Sequence, residues 1–582
     1  MSLILFSLTG SRLIVSAAVT LVFMGFVVLS ACNSSGTMSP EEVKRLETIE
    51  ELSESLANDL LDLSIATRDR NLETTREFFS PKLTSKPFPA KPLPAKTKVK
   101  WIETHDWESD AAEGPAKEIT SKEFLKSWTS FLDHFPEIDD ARFKVKEANF
   151  SEDSKAVEGA ENPTAEIGAT GTARIAVYVI GRNTEGKREW ARAMFRSNVR
   201  AAANKRWQFN SIEMMSIESM VAKTDLFSEV NISAGVEATA PAFGTPENSS
   251  FVWRGAVAAD FNNDGWVDLF VTSEDRNFLY LNDKKGRFED VSEKVGVKLA
   301  KTGTAPLALD YDNDGDSDVF ISAIGNQLLL ENKLNESNEL EFEDVSLTSG
   351  VSQNAFGFSA VAGDVNADGK LDIYVTSYND YGRVPPDSWF RATNGTKNLL
   401  LVNQGDGTFL EEAAKWGVDD GRWSYAAEFA DINGDGRIDL FVANDFGEKA
   451  MFINKGDRFV DEASERGVLD PANGMGVSFG DYNNDGKLDL HTTNMSSTAG
   501  NRILSRLFPD ATAKDNVLKK LASGNNLFEN LGDGKFKDVT EDVGGFSGGW
   551  AWGGGFLDFD NDGWEDIYTP NGFISGKSMK DT

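Results

Sequence analysis

The sequence predicts a mainly β chain, with a β-propeller over residues 226–582 preceded by a small α+β domain. Two observations predict the propeller: six acidic loops at near-regular spacing, and a second mark that recurs with them. A helical stripe followed by long strand-like segments predicts the smaller domain.

The loops begin at Asp260, Asp310, Asp364, Asp431, Asp481 and Asp558. They read DFNNDGWVDLFV, DYDNDGDSDVFI, DVNADGKLDIYV, DINGDGRIDLFV, DYNNDGKLDLHT and DFDNDGWEDIYT. Their spacings are 50, 54, 67, 50 and 77 residues, so the unit is near 50 and two units carry insertions, around Tyr378 to Lys397 and Ser496 to Gly524. The second mark is F-x-[DE] running into Gly-Val or Gly-Gly, at Phe227, Phe288, Phe342, Phe409, Phe459 and Phe536. Between the marks lie strands such as Asn277 to Asn282 and Asn398 to Asn403. Short strands at this period indicate blades of about four strands each.

The loop pattern D-x-[DN]-x-D-G-x-x-D gathers oxygen donors on a tight turn, which is what calcium, a hard cation taking about six to eight oxygens, requires. In the first loop Asp260, Asn262, Asp264 and Asp268 offer side-chain oxygens, Trp266 a backbone carbonyl, and Gly265 the sharp bend. The second offers Asp310, Asp312, Asp314 and Asp318 with the Asp316 carbonyl. The third offers Asp364, Asn366, Asp368 and Asp372 with that of Lys370, and the fourth Asp431, Asn433, Asp435 and Asp439 with that of Arg437. In the fifth the donors are Asp481, Asn483, Asp485, Asp489 and the Lys487 carbonyl; in the sixth, Asp558, Asp560, Asp562, Asp566 and the Trp564 carbonyl. Up to six Ca2+ are therefore expected. The second and sixth loops carry four carboxylates where the others carry three and an Asn, so these two are expected to fill first. A helix-loop-helix calcium motif needs Glu at position twelve, where this chain has Val271, Ile321, Val375, Val442, Thr492 and Thr569. The flanks are strand-like, so the sites are strand-loop-strand. Magnesium suits them less, because it holds a stricter octahedron and keeps its waters.

On these loops and marks the chain resembles the FG-GAP/VCBS repeat proteins, with repeats like those of integrin α-subunit propellers and most like the cartilage-acidic-protein and ASPIC/UnbV group. The resemblance covers about 60% of the chain. It implies a seven-bladed propeller with calcium in the loops, held by the residues named above. Six loops, with the chain stopping at Thr582, leave two expectations: closure by strands that lack the motif, or a truncated member with an open edge.

Residues 1–31 resemble a bacterial lipoprotein signal peptide: Arg12, an apolar run from Leu13 to Leu29, and Leu29-Ser30-Ala31-Cys32. The resemblance implies that Cys32, the chain's single cysteine, receives lipid. Localisation in the bacterial cell envelope follows, lipid-anchored at the outer membrane and facing periplasm or surface. Residues 32–225 are then a tether, a helix and an α+β domain. Ser39-Pro40-Glu41-Glu42 reads as a capped helix start, and Val43, Leu46, Ile49, Leu52, Leu56, Leu60 and Leu63 form a helical stripe. Pro81 to Pro94, with five prolines, reads as a stiff extended connection rather than strand or helix. Strand-like segments follow at Ala173 to Gly181, Glu189 to Ala201 and Arg206 to Ile212. Their order resembles a nuclear-transport-factor-2-like cone.

A net charge of -34 repels phosphate backbones, which excludes nucleic acid as a partner and favours cations. Enzyme signals are poor. Gly476 to Gly480 and Gly545 to Gly549 fit G-x-S-x-G but lie at strands entering a loop, not at a strand-to-helix elbow, and His105, His134 and His491 have no metal spacing. Aromatic residues of the insertion (Tyr378, Tyr381, Trp389, Phe390) and Trp550, Trp552 and Trp564 are candidates for a binding face, with core packing as the plainer reading. The expected function is a lipid-anchored, calcium-dependent binding or adhesion protein that recognises a protein or glycan through propeller loops. The competing expectations are a calcium-dependent polysaccharide lyase or hydrolase, and a purely structural envelope component.

Overall fold

The computed structural model describes residues 39–98, 100–107, 116–157, 162–236, 255–273, 276–298, 303–380, 383–508, 516–544 and 549–570. The expected signal segment 1–31 and Cys32 lie outside them. Two compact units divide the chain, one ending at Ser228 and one beginning at Glu229.

The first unit is α+β. Helix α1 (Pro40–Arg68) starts at the expected cap: the Ser39 hydroxyl accepts from the Glu42 N–H and the Glu42 carboxylate from the Ser39 N–H. Helices α2 (Leu72–Arg76) and α3 (Ser121–Leu132) follow. The strands are β1 (Phe79–Ser85), β2 (Thr97–Lys98), β3 (Ile102–Asp106), β4 (Lys117–Thr120), β5 (Glu137–Phe150), β6 (Thr170–Arg182), β7 (Arg188–Ala201) and β8 (Trp207–Ala222), in a sheet ordered β2-β3-β8-β7-β6-β5 with β1 on β8 and β4 on β1. One face of this sheet buries Phe143, Val145, Ile175, Phe195 and Phe209 against Leu52, Leu56, Leu60 and Leu63 of the α1 stripe and against Phe124, Trp128 and Phe131 of α3. The connection expected from Pro81 is corrected here, because Pro81 to Ser85 belong to β1. Proline is accommodated because the β1–β8 pairing is interrupted between Phe79 and Thr84, where no ladder N–H is needed.

The second unit is built from small antiparallel sheets consistent with propeller blades. The first holds Ala256–Ala259, Asp268–Val271, Phe278–Asn282 and Phe288–Asp290, in sequential order. The second holds Ala305–Leu309, Asp318–Ser322, Leu328–Asn332 and Phe342–Asp344. Asn354–Gly363, Asp372–Ser377, Leu399–Asn403 and Phe409–Glu411 make the third, with Ile324–Asn326 paired to its first strand. The fourth is Trp423–Ala430, Asp439–Phe446, Ala450–Asn454 and Phe459–Asp461, and the fifth Gly474–Gly480, Asp489–Asn494, Asn526–Gly532 and Lys535–Asp538. In the sixth the described strands are Gly555–Leu557 and Asp566–Tyr568.

The apolar core is a series of layers between neighbouring sheets. Phe261, Phe270 and Leu279 of the first sheet pack with Val319, Ile321, Leu328 and Leu330 of the second, and the pattern repeats along the unit. Second strands are therefore covered on both faces and read as continuous apolar runs. The second mark also finds its reason. Gly296, Gly350, Gly417 and Gly467 adopt φ of 74–86° where the chain passes the next sheet. A Cβ there would meet the carbonyl oxygen of Phe342, Phe409, Phe459 or Phe536 at 3.2 Å or less. The mark at Phe227 differs only at its Phe, where no strand forms and the residue is 70% exposed; its Gly235 has φ of 78° and a Cβ there would meet the Phe288 carbonyl oxygen at 2.7 Å.

Candidate metal-binding loops

Every acidic loop joins the first strand of a sheet to the second, so the loops share one end of the sheets. Each is wound by its own carboxylates. The first residue accepts from the N–H of the fifth and of the sixth: Asp260 from Asp264 at 3.0 Å and Gly265 at 2.7 Å, and likewise at Asp310, Asp364, Asp431, Asp481 and Asp558. The third residue accepts from the fifth N–H at Asn262, Asp312, Asn366 and Asn483. The fifth accepts from the seventh, as Asp264 does from Trp266 and Asp562 from Trp564. These bonds hold the side-chain oxygens of the loop against its own turn.

The ninth residue has a second role that the motif alone does not reveal. Asp268, Asp318, Asp372 and Asp439 are 0–1% exposed, and each spans the loop with both oxygens. One accepts from the second residue's N–H (Phe261, Tyr311, Val365, Ile432), the other from the N–H of the Asn that ends the third strand (Asn282, Asn332, Asn403, Asn454). That Asn is a functional residue which sequence reasoning missed. The side chains of Asn332, Asn403, Asn454 and Asn530 donate to the second-residue carbonyl of the preceding loop, at Phe261, Tyr311, Val365 and Ile432, over 2.7–3.3 Å. Each of the first four loops is thereby tied to the next sheet. The signal was present, since an Asn closes each third strand in LYLN, LLEN, LLVN, MFIN and LFEN.

Electrostatics separates the loops. Burial first, and neighbouring carboxylates second, push Asp312 up to about 6 and Asp318 up to about 8. Burial likewise lifts Asp372, Asp439 and Asp489 to about 6. Three carboxylate groups gather their oxygens within 4.8 Å: Asp310, Asp312 and Asp318; Asp314, Asp316 and Glu336; and Asp558, Asp560 and Asp562. All but Glu336, which lies in the short helix Leu334–Ser337, belong to the second and sixth loops. In the other four a basic side chain already reaches the fifth residue: Lys284 to Asp264 at 3.3 Å, Lys370 to Asp368 at 3.6 Å, Arg437 to Asp435 at 2.5 Å and Lys487 to Asp485 at 2.6 Å. Among the described residues no Lys or Arg pairs with Asp314 or Asp562. Asp316 is 1% exposed and accepts from Asn263 of the first loop at 2.9 Å and from the Asn335 N–H at 2.7 Å.

The residues suit a hard cation. All side-chain donors are oxygens, and two at ligand positions, Asn433 Oδ1 and Asp489 Oδ2, are buried without a hydrogen-bond partner. A buried acceptor left in that state costs about 1–3 kcal/mol, which a coordinated cation relieves.

The opposite end of the sheets carries the two insertions, both between second and third strands, the one in the fifth sheet including helices Thr498–Leu507 and Val517–Ser523. Tyr378 is buried there: its hydroxyl donates to Asp445 at 2.5 Å and its ring stands edge-on to Trp423 at 4.8 Å. Burial lifts Asp445 to about 6. Trp389 packs on Phe446 at 5.2 Å and Trp552 on Tyr425 at 5.9 Å, whereas Trp550 and Trp564 are exposed. Tyr381 and residues 545–548 of the second G-x-S-x-G match lie outside the described residues. Ser478 of the first match sits in a sheet strand, where its hydroxyl accepts from the Phe556 N–H. His491 is fully buried in the strand after the fifth loop, and burial pushes it down to about 4.

Sheets of this kind, each entered by an acidic loop, define a repeat protein. The FG-GAP-like repeat matches residues 260–321, 388–442, 431–492 and 517–569. The chain is distantly related to cartilage acidic protein 1. It is 26% identical to the Homo sapiens protein over 225 residues, which is 34% of this chain and 31% of that one, and 25% identical to the Mus musculus protein over 222 residues, 34% and 32% of the two. The chain thus spans about a third of the length of these relatives. Two solved structures align with it. An Agrocybe aegerita lectin recognising non-reducing terminal N-acetylglucosamine has TM-score 0.31 and 15% identity over 68% of this chain and 85% of that one. The V. cholerae biofilm matrix protein Bap1 has TM-score 0.26 and 14% identity over 51% and 40%.

Proposed function

We propose that the chain is a calcium-dependent binding or adhesion protein, anchored to the bacterial cell envelope by lipid on Cys32. In this reading calcium fixes one end of the sheets and the other end presents a surface to a protein or glycan. The observation that carries it is the division of labour between connections: acidic loops join first to second strands, while both insertions join second to third strands. Up to six loops hold Ca2+ through positions one, three, five, seven and nine. The cation supplies charge that lets carboxylates crowd together, and each loop residue contributes a fixed oxygen. The ninth Asp transmits the loop's order to the third strand, and the Asn staple to the next sheet.

A glycan and protein array probed with the mature protein, with and without chelator, tests this reading. Calcium-dependent retention without turnover is expected; release of product from a retained polysaccharide would instead make the protein a lyase or hydrolase. The anchor is tested by mass spectrometry of the mature N-terminal peptide, which should carry diacylglycerol on Cys32 and should lose membrane association in Cys32→Ala.

A further inference from the structure

The chain's charge is divided unevenly. From Glu229 onward there are 60 acidic and 30 basic residues, so -30 of the net -34 belongs to the second unit. The first unit is close to balanced, and its basic residues are not scattered. One face of β5–β8 packs on α1 and α3; the alternate residues point to the other face, which carries Arg142, Lys144, Lys146, Arg174, Arg192 and Arg196.

The register explains the crowding. Lys144 stands beside Ala176 and Met194, in the row between the pair Tyr178–Arg192 and the pair Arg174–Arg196. A bulge between Val145 and Glu147 inserts Lys146 as an extra residue into the same region. Ala176, whose register places it on this face among these long side chains, is 0% exposed. The arginines have carboxylate neighbours: Asp140 for Arg142 at 2.9 Å, Glu147 for Arg174 at 3.5 Å, Glu218 for Arg192 at 3.8 Å and Glu213 for Arg196 at 3.7 Å. Lys144 and Lys146 have none within ion-pair distance among the described residues. Partial burial first, then like-charged neighbours, hold both ammonium groups below the usual lysine range: Arg142 for Lys144, and Lys144, Arg192 and Arg174 for Lys146. Two lysines crowded among arginines disfavour folding, and the carboxylates of this face, Asp140, Glu147, Glu213 and Glu218, are engaged by the arginines rather than by them.

We propose that this cationic sheet face of the first unit is a docking surface for an acidic polysaccharide. Charge complementarity sets the sign of the partner. The face is four strands wide, about 15–20 Å, which suits a linear chain laid across it. At one end Tyr178 and Trp190 lie 5.9 Å apart, giving aromatic surface for sugar rings beside cations for their carboxylates or sulfates. A second copy's acidic loops fit less well, since their carboxylates are turned inward onto backbone N–H groups.

The test is titration calorimetry of the full calcium-loaded chain with hyaluronate and heparin oligosaccharides, with neutral dextran and duplex DNA for comparison. The Lys144→Glu/Lys146→Glu variant should weaken binding of the acidic polysaccharide at least tenfold. Lys122→Glu/Lys126→Glu, an equal charge change on exposed α3 positions, should change it less than twofold. Without ligand, K144E/K146E should melt no lower than the wild type, because it removes crowded like charges. Equal weakening by both variants, absence of binding to either acidic polysaccharide, duplex DNA binding as tightly, or a sharply lowered melting point for K144E/K146E would each overturn the proposal. So would wild-type self-association in sedimentation that K144E/K146E abolishes.

Discussion

At the fourth position of each loop the backbone is left-handed, with φ of 54° at Asn263, 62° at Asn313, 58° at Ala367, 73° at Gly434, 56° at Asn484 and 53° at Asn561. Asn and Gly tolerate this conformation, while Ala strains by about 1–2 kcal/mol. Ala367→Asn is therefore expected to stabilise the protein by roughly 0.5–1 kcal/mol, measured by urea unfolding; an unchanged or lower midpoint would contradict the strain argument. A second residue governs pH dependence. Glu428 lines a first strand, accepts from the Phe479 N–H, and is pushed by burial up to about 7. The folded state holds a proton that the unfolded chain releases above about pH 4.5. That contribution to stability is fully present below this value and is lost as pH rises through 7. Glu428→Gln keeps the acceptor without the charge, so it should stabilise the protein at pH 8 by about 1–2 kcal/mol and leave it nearly unchanged at pH 4, read from melting curves at the two pH values. The same gain at both would sink the assignment.

Among the sheets, the Asn staple is the contact that makes neighbours depend on one another. Asn403 is 2% exposed and donates to Tyr311 across the sheet boundary at 2.7 Å and to Leu371 at 3.2 Å. Asn282, in the first sheet, donates to Val267 of its own sheet at 3.0 Å. Asn403→Ala strands the buried Tyr311 carbonyl and a part-buried one at Leu371 and should cost roughly 1–3 kcal/mol, well above Asn282→Ala, in chemical denaturation; equal costs would remove the staple. The sheets themselves were legible in the sequence, because loop, strand and Phe mark recur within a single unit. The staple's role was not, although its letter was, because its partners lie 71 to 98 residues apart and only the packing of one sheet on the next brings them together. Pro81 was misread for a related reason: proline disfavours a strand locally, and the interruption in the β1–β8 pairing that admits it is a tertiary fact.

Across the whole molecule, charge and metal are one subject. The loop carboxylates were read as candidate ligands from spacing alone, and the second and sixth loops, set apart by their carboxylate counts, contribute to all three groups that gather carboxylate oxygens within 4.8 Å. The structure adds that the other four already set a Lys or Arg against the fifth position. The basic face of the first unit was hidden by a net charge of -34, because only strand register places its lysines together. Calcium binding to the folded state should raise stability by about 2.7 kcal/mol per site at one hundred times its Kd, transmitted from loop to sheet by the ninth Asp and the Asn. Differential scanning calorimetry of the mature protein in calcium and in chelator tests this most directly. The expected result is a sharply lower melting temperature of the second unit in chelator, restored by added calcium; a melting temperature unchanged by chelation would contradict it.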